Sequence, residues 1–121
     1  MTGQQARRYS HQPEKEFSPA ALGLAPASLS DLRGGDAAHN ASVARSVLAG
    51  EPGPVRDIVL LNAAAALAAA AGVPAPEAVT SALADGYARA AEAVDSGAAR
   101  ALLDRWVQAS RRLDPKAAQG R

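Results

Sequence analysis

The stretch Pro54–Gly72, P-V-R-D-I-V-L-L-N-A-A-A-A-L-A-A-A-A-G, decides the fold. Between Ile58 and Ala71 only Asn62 is polar. Alanine and leucine are strong helix formers, so the stretch reads as a helix. Pro54 suits a first turn, where its missing N–H is not needed, and Gly72 suits the position past the end. A helix that is apolar all round has to be covered on every side, so the rest of the chain should form its shell.

The material for that shell is thin. The chain has 121 residues, which favours one domain. It is 48% hydrophobic, but alanine carries the figure and only 3% is aromatic. Alanine removes little apolar area from water. A formal charge of +1 gives no strong pull toward nucleic acid or membrane. Without cysteine there is neither a disulfide nor thiolate chemistry. Met1 to Glu16 is polar and does not read as a signal peptide. The apolar run of the central helix, about fifteen residues, falls short of the ~20 of a membrane span. The expectation is a soluble, cytoplasmic protein without a membrane partner.

Outward from the central helix, the breakers set the other elements. Residues 1–16 have no apolar periodicity and read as a disordered or loosely attached tail. Within it, Arg7, Arg8 and Tyr9 read as a solvated tail rather than a nucleic-acid contact, and His11 has no second ligand at metal spacing. Residues 17–35 carry Pro19, Gly23, Pro26 and several serines and read as loop, with one short turn after Pro19 and with Phe17, Leu22 and Leu24 as anchors. A strand near Glu16 to Ser18 would survive only by pairing with a sheet that this chain does not contain. Asp36 is a good N-cap for a helix ending near Gly50, with Ala41, Ala44, Val47 and Leu48 on one face. Pro76 opens a third helix with a stripe at Val79, Leu83, Tyr87, Ala90 and Val94, where Gly86 and Ala90 admit a close backbone. Asp85 and Arg89 are spaced as an i,i+4 pair. Ser96 can cap a last helix, Gly97 to Leu113, with Leu102, Leu103, Trp106 and Leu113 as its apolar face. Pro115 stops it, and 114–121 should fray. The fold class is therefore all-α: a bundle of about four helices, near 36–49, 54–71, 76–96 and 97–113, after an irregular N-terminal segment.

Chemistry is sparse in this pattern. Gly34-Gly35-Asp36 opens a helix as anion sites do, but Asp36 would occupy the positive end itself, which favours a cap. Asp36 and His39 could face one metal, but catalytic zinc typically takes three protein ligands. Asn62 needs a partner if buried, either a neighbouring backbone or a ligand, and the structural role is favoured. Arg56 and Asp57 read as capping and surface pairing. Asn40-Ala41-Ser42 matches a glycosylation sequon but lies inside a helix. Ser, His and Asp are not grouped as nucleophile, base and orienter. Arg100, Arg105, Arg111 and Arg112 are interleaved with Asp104 and Gln108, as on a solvated face, so nucleic-acid binding is not favoured.

Two motifs carry a resemblance. L-R-G-G-D-A-A-H-N-A (Leu32 to Ala41) and V-L-A-G-E-P-G-P-V-R-D-I-V-L-L-N-A-A-A-A-L (Val47 to Leu67) resemble the C-terminal part of the anthranilate phosphoribosyltransferase family. F-S-P-A-A-L-G-L (Phe17 to Leu24) and the D-S-G-A-A that ends at Ala99 fit the same family, so the likeness runs from about Phe17 to Val107. One departure is His39, where the family usually has a glutamate that would serve the first turn of the helix. The resemblance implies transfer of a phosphoribosyl group from phosphoribosyl pyrophosphate to anthranilate with magnesium, in tryptophan biosynthesis, by a homodimer with an α/β domain. It also implies that the working parts lie upstream of the matched motifs. The family's G-T-G-G-D phosphate loop, its K-H-G-N-R segment and its Asp-Glu magnesium pair do not occur in this sequence. No catalytic, cofactor-binding or metal residue carries over, and no cofactor is expected on this chain alone. The chain then reads as a truncated gene product, half of a split enzyme or an excised piece. Its expected partners are the missing portion or a second copy met through the central helix. Two other readings stay open: a helical interaction module and a weak nucleic-acid binder.

Overall fold

The computed structural model describes residues 16–118. Four main helices form: α1 (Ala37–Leu48), α2 (Pro54–Ala71), α3 (Val79–Asp95) and α4 (Ala98–Leu113). Single 3-10 turns stand at Pro19–Leu22, Leu29–Leu32 and Pro76–Ala78, the last running directly into α3. No strand forms among the described residues, and Glu16 to Ser18 is irregular chain. The readings of Arg7, Arg8, Tyr9 and His11 lie outside the described residues.

The helix ends follow local chemistry. Asp36 caps α1, its Oδ1 accepting from the His39 N–H at 2.8 Å. Pro54 sits in the first turn of α2, and Gly72 closes the helix at φ 82°. Gly97 takes the left-handed conformation at the start of α4, while Ser96 Oγ accepts from the Ala98 N–H at 3.3 Å. Asp114 is extended, as the residue before a proline should be. Pro115 thus stops α4 and then opens one more helical turn, α5 (Pro115–Ala118), where the sequence suggested only fraying.

The core lies between α2 and α3. Leu60, Ala64 and Ala68 form the buried stripe of α2, and Gly86, Ala90 and Val94 that of α3. Both stripes have i, i+4, i+8 spacing, the rows along which helices interdigitate. Leu60 is the one bulky side chain sealed off completely, at 1% exposure. At Gly86 the two backbones nearly touch: a Cβ there would lie 2.7 Å from the Ala64 carbonyl oxygen and 3.0 Å from its Cα.

The shell expected around α2 does not close. Val59, Asn62, Ala65, Ala66, Ala69 and Ala70 are exposed, so α2 has one buried stripe rather than four covered sides. Asn62 is therefore a solvent-facing residue whose side chain makes no hydrogen bond among the described residues, and the structural role assigned to it is corrected. The whole of α2, 18 residues at mean hydropathy 1.4, is long and apolar enough by length and composition to cross a membrane, although its apolar run alone is shorter. What it meets in the fold is α3. On α1 Val47 is buried as expected, but Val43 turns inward while Ala44 is exposed. On α4 the apolar face exists and is mostly uncovered: Leu102, Trp106 and Leu113 are 57%, 71% and 83% exposed, and only Leu103 is half-buried. Among the described residues Asp85 and Arg89 make no ion pair.

Gly86→Ala tests the crossing. Removing glycine from a helix interior alone would stabilise by roughly 0.5–1 kcal/mol. Here the new methyl meets backbone, which has no rotamer to escape into, so a lowered melting temperature is expected. A raised melting temperature would show that the two helices do not cross this closely.

Candidate functional site

Three places bring polar or titratable groups together. The first is the Gly34-Gly35-Asp36 turn. Asn40, in the first turns of α1, folds back over it: its Oδ1 accepts from the Gly35 N–H at 2.9 Å and its Nδ2 donates to the Gly35 carbonyl at 3.1 Å. The glycines are needed for room, since neither adopts a positive φ. A Cβ on Gly34 would lie 2.9 Å from Asn40 Oδ1, and one on Gly35 would lie 3.0 Å from the His39 ring. Of the N–H groups that an anion would use, those of Gly35 and His39 are therefore taken, by Asn40 and Asp36. Asp36 aims at backbone, not at a site shared with the His39 ring. The clamp by Asn40 was not expected; its sequence signal is a carboxamide five residues after the second-position glycine.

The second place joins α2 to the end of α3. Arg56 donates from both terminal nitrogens to Asp95, at 2.9 and 3.0 Å, across 39 residues of sequence. This fork is the strong geometry for a guanidinium and a carboxylate. Arg56 is 14% exposed and Asp95 54%, so water screens the pair and its contribution is modest. Hydrogen bonding to Asp95 raises the arginine's already high pKa. One residue on, Asp57 Oδ1 accepts from the Tyr87 hydroxyl at 3.4 Å. Burial, with the Asp57 charge adding to it, pushes the Tyr87 phenol up and keeps it a donor. Surface pairing of Arg56 and Asp57 is thus instead a clasp between two helices.

The third place is a cleft of about 290 Å³ under the N-terminal segment. Pro19, Leu24 and Leu32 form one wall, and Asp57, Ile58 and Leu61 of α2 form the other. Leu22 and Leu24 are half-buried, which anchors the segment as expected. Within this segment Ser28 and Asp31 close a capping box, which holds the Asp31 carboxyl below its usual pKa through the Ser28 N–H and hydroxyl. Among the described residues no three His, Asp or Glu side chains gather as a metal centre. Arg100, Arg105, Arg111 and Arg112 are exposed along α4, and Arg112 Nε donates to the Gln108 carbonyl at 3.4 Å.

Comparison with known proteins adds what this geometry lacks. A family profile described as "Glycosyl transferase family, a/b domain" matches residues 5–100, starting upstream of Phe17. The chain is 51% identical to the anthranilate phosphoribosyltransferase of Frankia alni over 98% of its own length and 32% of that relative's. It is 58% identical to the anthranilate phosphoribosyltransferase of Thermobifida fusca over 79% of this chain and 27% of that protein. With the Rhodococcus opacus protein of the same name, the identity is 56% over 76% of this chain and 25% of the relative. The chain spans about a third or less of the length of the curated relatives it matches.

Replacing the cap tests the turn. Asp36→Ala should cost about 0.5–2 kcal/mol, the range for lost N-caps. Asn40→Ala should free the Gly35 amide to exchange with solvent faster while leaving amides in α3 unchanged. Unaltered exchange at Gly35 would show that Asn40 does not hold the turn.

Proposed function

The chain belongs to the glycosyl transferase family whose a/b domain profile it matches, and we propose that it is the C-terminal helical portion of an anthranilate phosphoribosyltransferase-like enzyme. The observation that carries this reading is 51% identity along 98% of the chain to a curated enzyme of that name. On this reading the complete protein transfers a phosphoribosyl group to anthranilate in tryptophan biosynthesis, in the cytoplasm, and this chain alone has no activity. The reason is chemical. Transfer from phosphoribosyl pyrophosphate needs backbone donors for the pyrophosphate and carboxylates for magnesium. The described residues do not fit magnesium: Asp36, Asp57 and Asp95 stand on separate elements, engaged by a backbone N–H, a phenol and a guanidinium. At the turn before α1, the Gly35 and His39 N–H groups are already bonded to Asn40 and Asp36.

The partner that fits this reading is the remaining part of such an enzyme. Its docking surfaces would be the open sides of α2 and α4, where Val59 is 44% and Trp106 71% exposed. A second reading, a helical interaction module, is favoured by α4 itself. Its Leu102, Trp106 and Leu113 make an uncovered apolar face, and exposed patches of this kind mark contact surfaces.

The 121-residue chain is expected to show no turnover with phosphoribosyl pyrophosphate and anthranilate at any magnesium concentration. Loss of one preorganised electrostatic group already costs ~10²–10³ in rate. Activity should appear when the remaining two-thirds of a relative's chain is co-expressed. Val59→Asp should block that rescue without melting the isolated chain, because Val59 points away from α3. Arg112→Ala should leave rescue intact. Turnover by the purified chain alone would refute the reading; self-association without rescue would favour the interaction module.

A further inference from the structure

We propose that the cleft between the Pro19–Leu32 segment and the first turns of α2 binds a small organic cation, an ammonium group on a compact apolar body, with Asp57 as its counter-ion.

The walls are apolar: Pro19, Leu24 and Leu32 face Ile58 and Leu61. A volume of about 290 Å³ is ample for an aromatic ring with a short chain, since a cavity of roughly 150 Å³ already accepts benzene. Asp57 is the one charged side chain on the lining among the described residues; Ser18 adds a hydroxyl at the rim. The neighbouring Arg56 attracts it through space but makes no hydrogen bond to it. Both terminal nitrogens of Arg56 are committed to Asp95, at 2.9 and 3.0 Å. Tyr87 reaches Asp57 Oδ1 only at 3.4 Å, which leaves acceptor capacity on the carboxylate. A neutral apolar guest would strip water from that carboxylate and give nothing back. An anion would meet like charge. An ammonium bearing an apolar body satisfies both parts of the cleft at once. The inference rests on this cleft alone and is independent of the family reading.

The test is a ¹⁵N-resolved titration of the full chain with benzylammonium, benzyl alcohol and benzoate in parallel. Benzylammonium should give saturable shifts centred on the amides of Leu24, Asp57, Ile58 and Leu61. Its affinity should exceed that of benzyl alcohol by about tenfold, the worth of one charge-assisted hydrogen bond, and benzoate should not bind. Asp57→Asn should remove the preference for the cation, with helical circular dichroism checking the fold. Equal binding of the alcohol, shifts centred elsewhere, or a cation preference that survives Asp57→Asn in the folded variant would each overturn the proposal. If Asp57→Asn does not fold, the three-ligand comparison on the unaltered chain decides alone.

Discussion

The contact on which this fold depends is the one between Gly86 and Ala64. An alanine-built core has little apolar area to bury, and only Leu60 is both large and sealed. Such a core gains through proximity: many weak dispersion contacts become available when two backbones come close. The glycine supplies the room, with the Ala64 carbonyl at the place its side chain would need. Ala90 and Val94 continue the seam one and two turns on, against the same face of α2. The Arg56–Asp95 fork then fastens the end of that seam, where the N-terminus of α2 meets the C-terminus of α3. The remaining elements hang on this pair: α1 contributes Val47, and the N-terminal segment lies over the first turns of α2.

Proximity at one seam leaves the other faces bare. A helix stripe of Leu102, Trp106 and Leu113 is the kind of surface that layered folds bury against a second layer. Here its large side chains are mostly in water. The central helix shows the same imbalance in a milder form, because alanine on its outer face exposes little area per residue. The apolar surface left open therefore sits chiefly on α4 rather than on α2, whose all-apolar sequence had asked for cover on every side.

Helix limits were legible in the sequence because they are set locally. Asp36, Pro54, Gly72, Gly97 and Pro115 each act through their own backbone preference, and four helices follow from them. The Gly86–Ala90 seam was legible too, since small residues at helical spacing admit close approach. What failed were several inferences that needed to know which side faces a neighbour. Asn62 looked buried because its flanks are apolar, yet it lies on the side of α2 turned from α3. On α1, Val43 rather than Ala44 joins Ala41, Val47 and Leu48 on the inward face, a choice that no cap can specify. The Arg56–Asp95 pair was invisible because 39 residues separate its members. Asp85 and Arg89 have the spacing for an ion pair, but the net worth of such surface pairs is too small to impose a geometry.

The same distinction between local and long-range information explains the ambiguity of Gly34-Gly35-Asp36. Two glycines and an acid before a helix are compatible with a phosphate cradle and with a closed turn. Sequence alone ranks them by the carboxylate, which repels an anion at the helix start. The structure supplies the stronger reason: Asn40 returns over the turn and satisfies both the N–H and the carbonyl of Gly35. A cradle must keep its donors unsatisfied until the ligand arrives, whereas this turn has spent two of them, Gly35 and His39, on its own side chains. The glycines meet a steric demand of Asn40 and His39. What Gly34-Gly35-Asp36 builds in this fold is the start of a helix, held by Asp36 and Asn40.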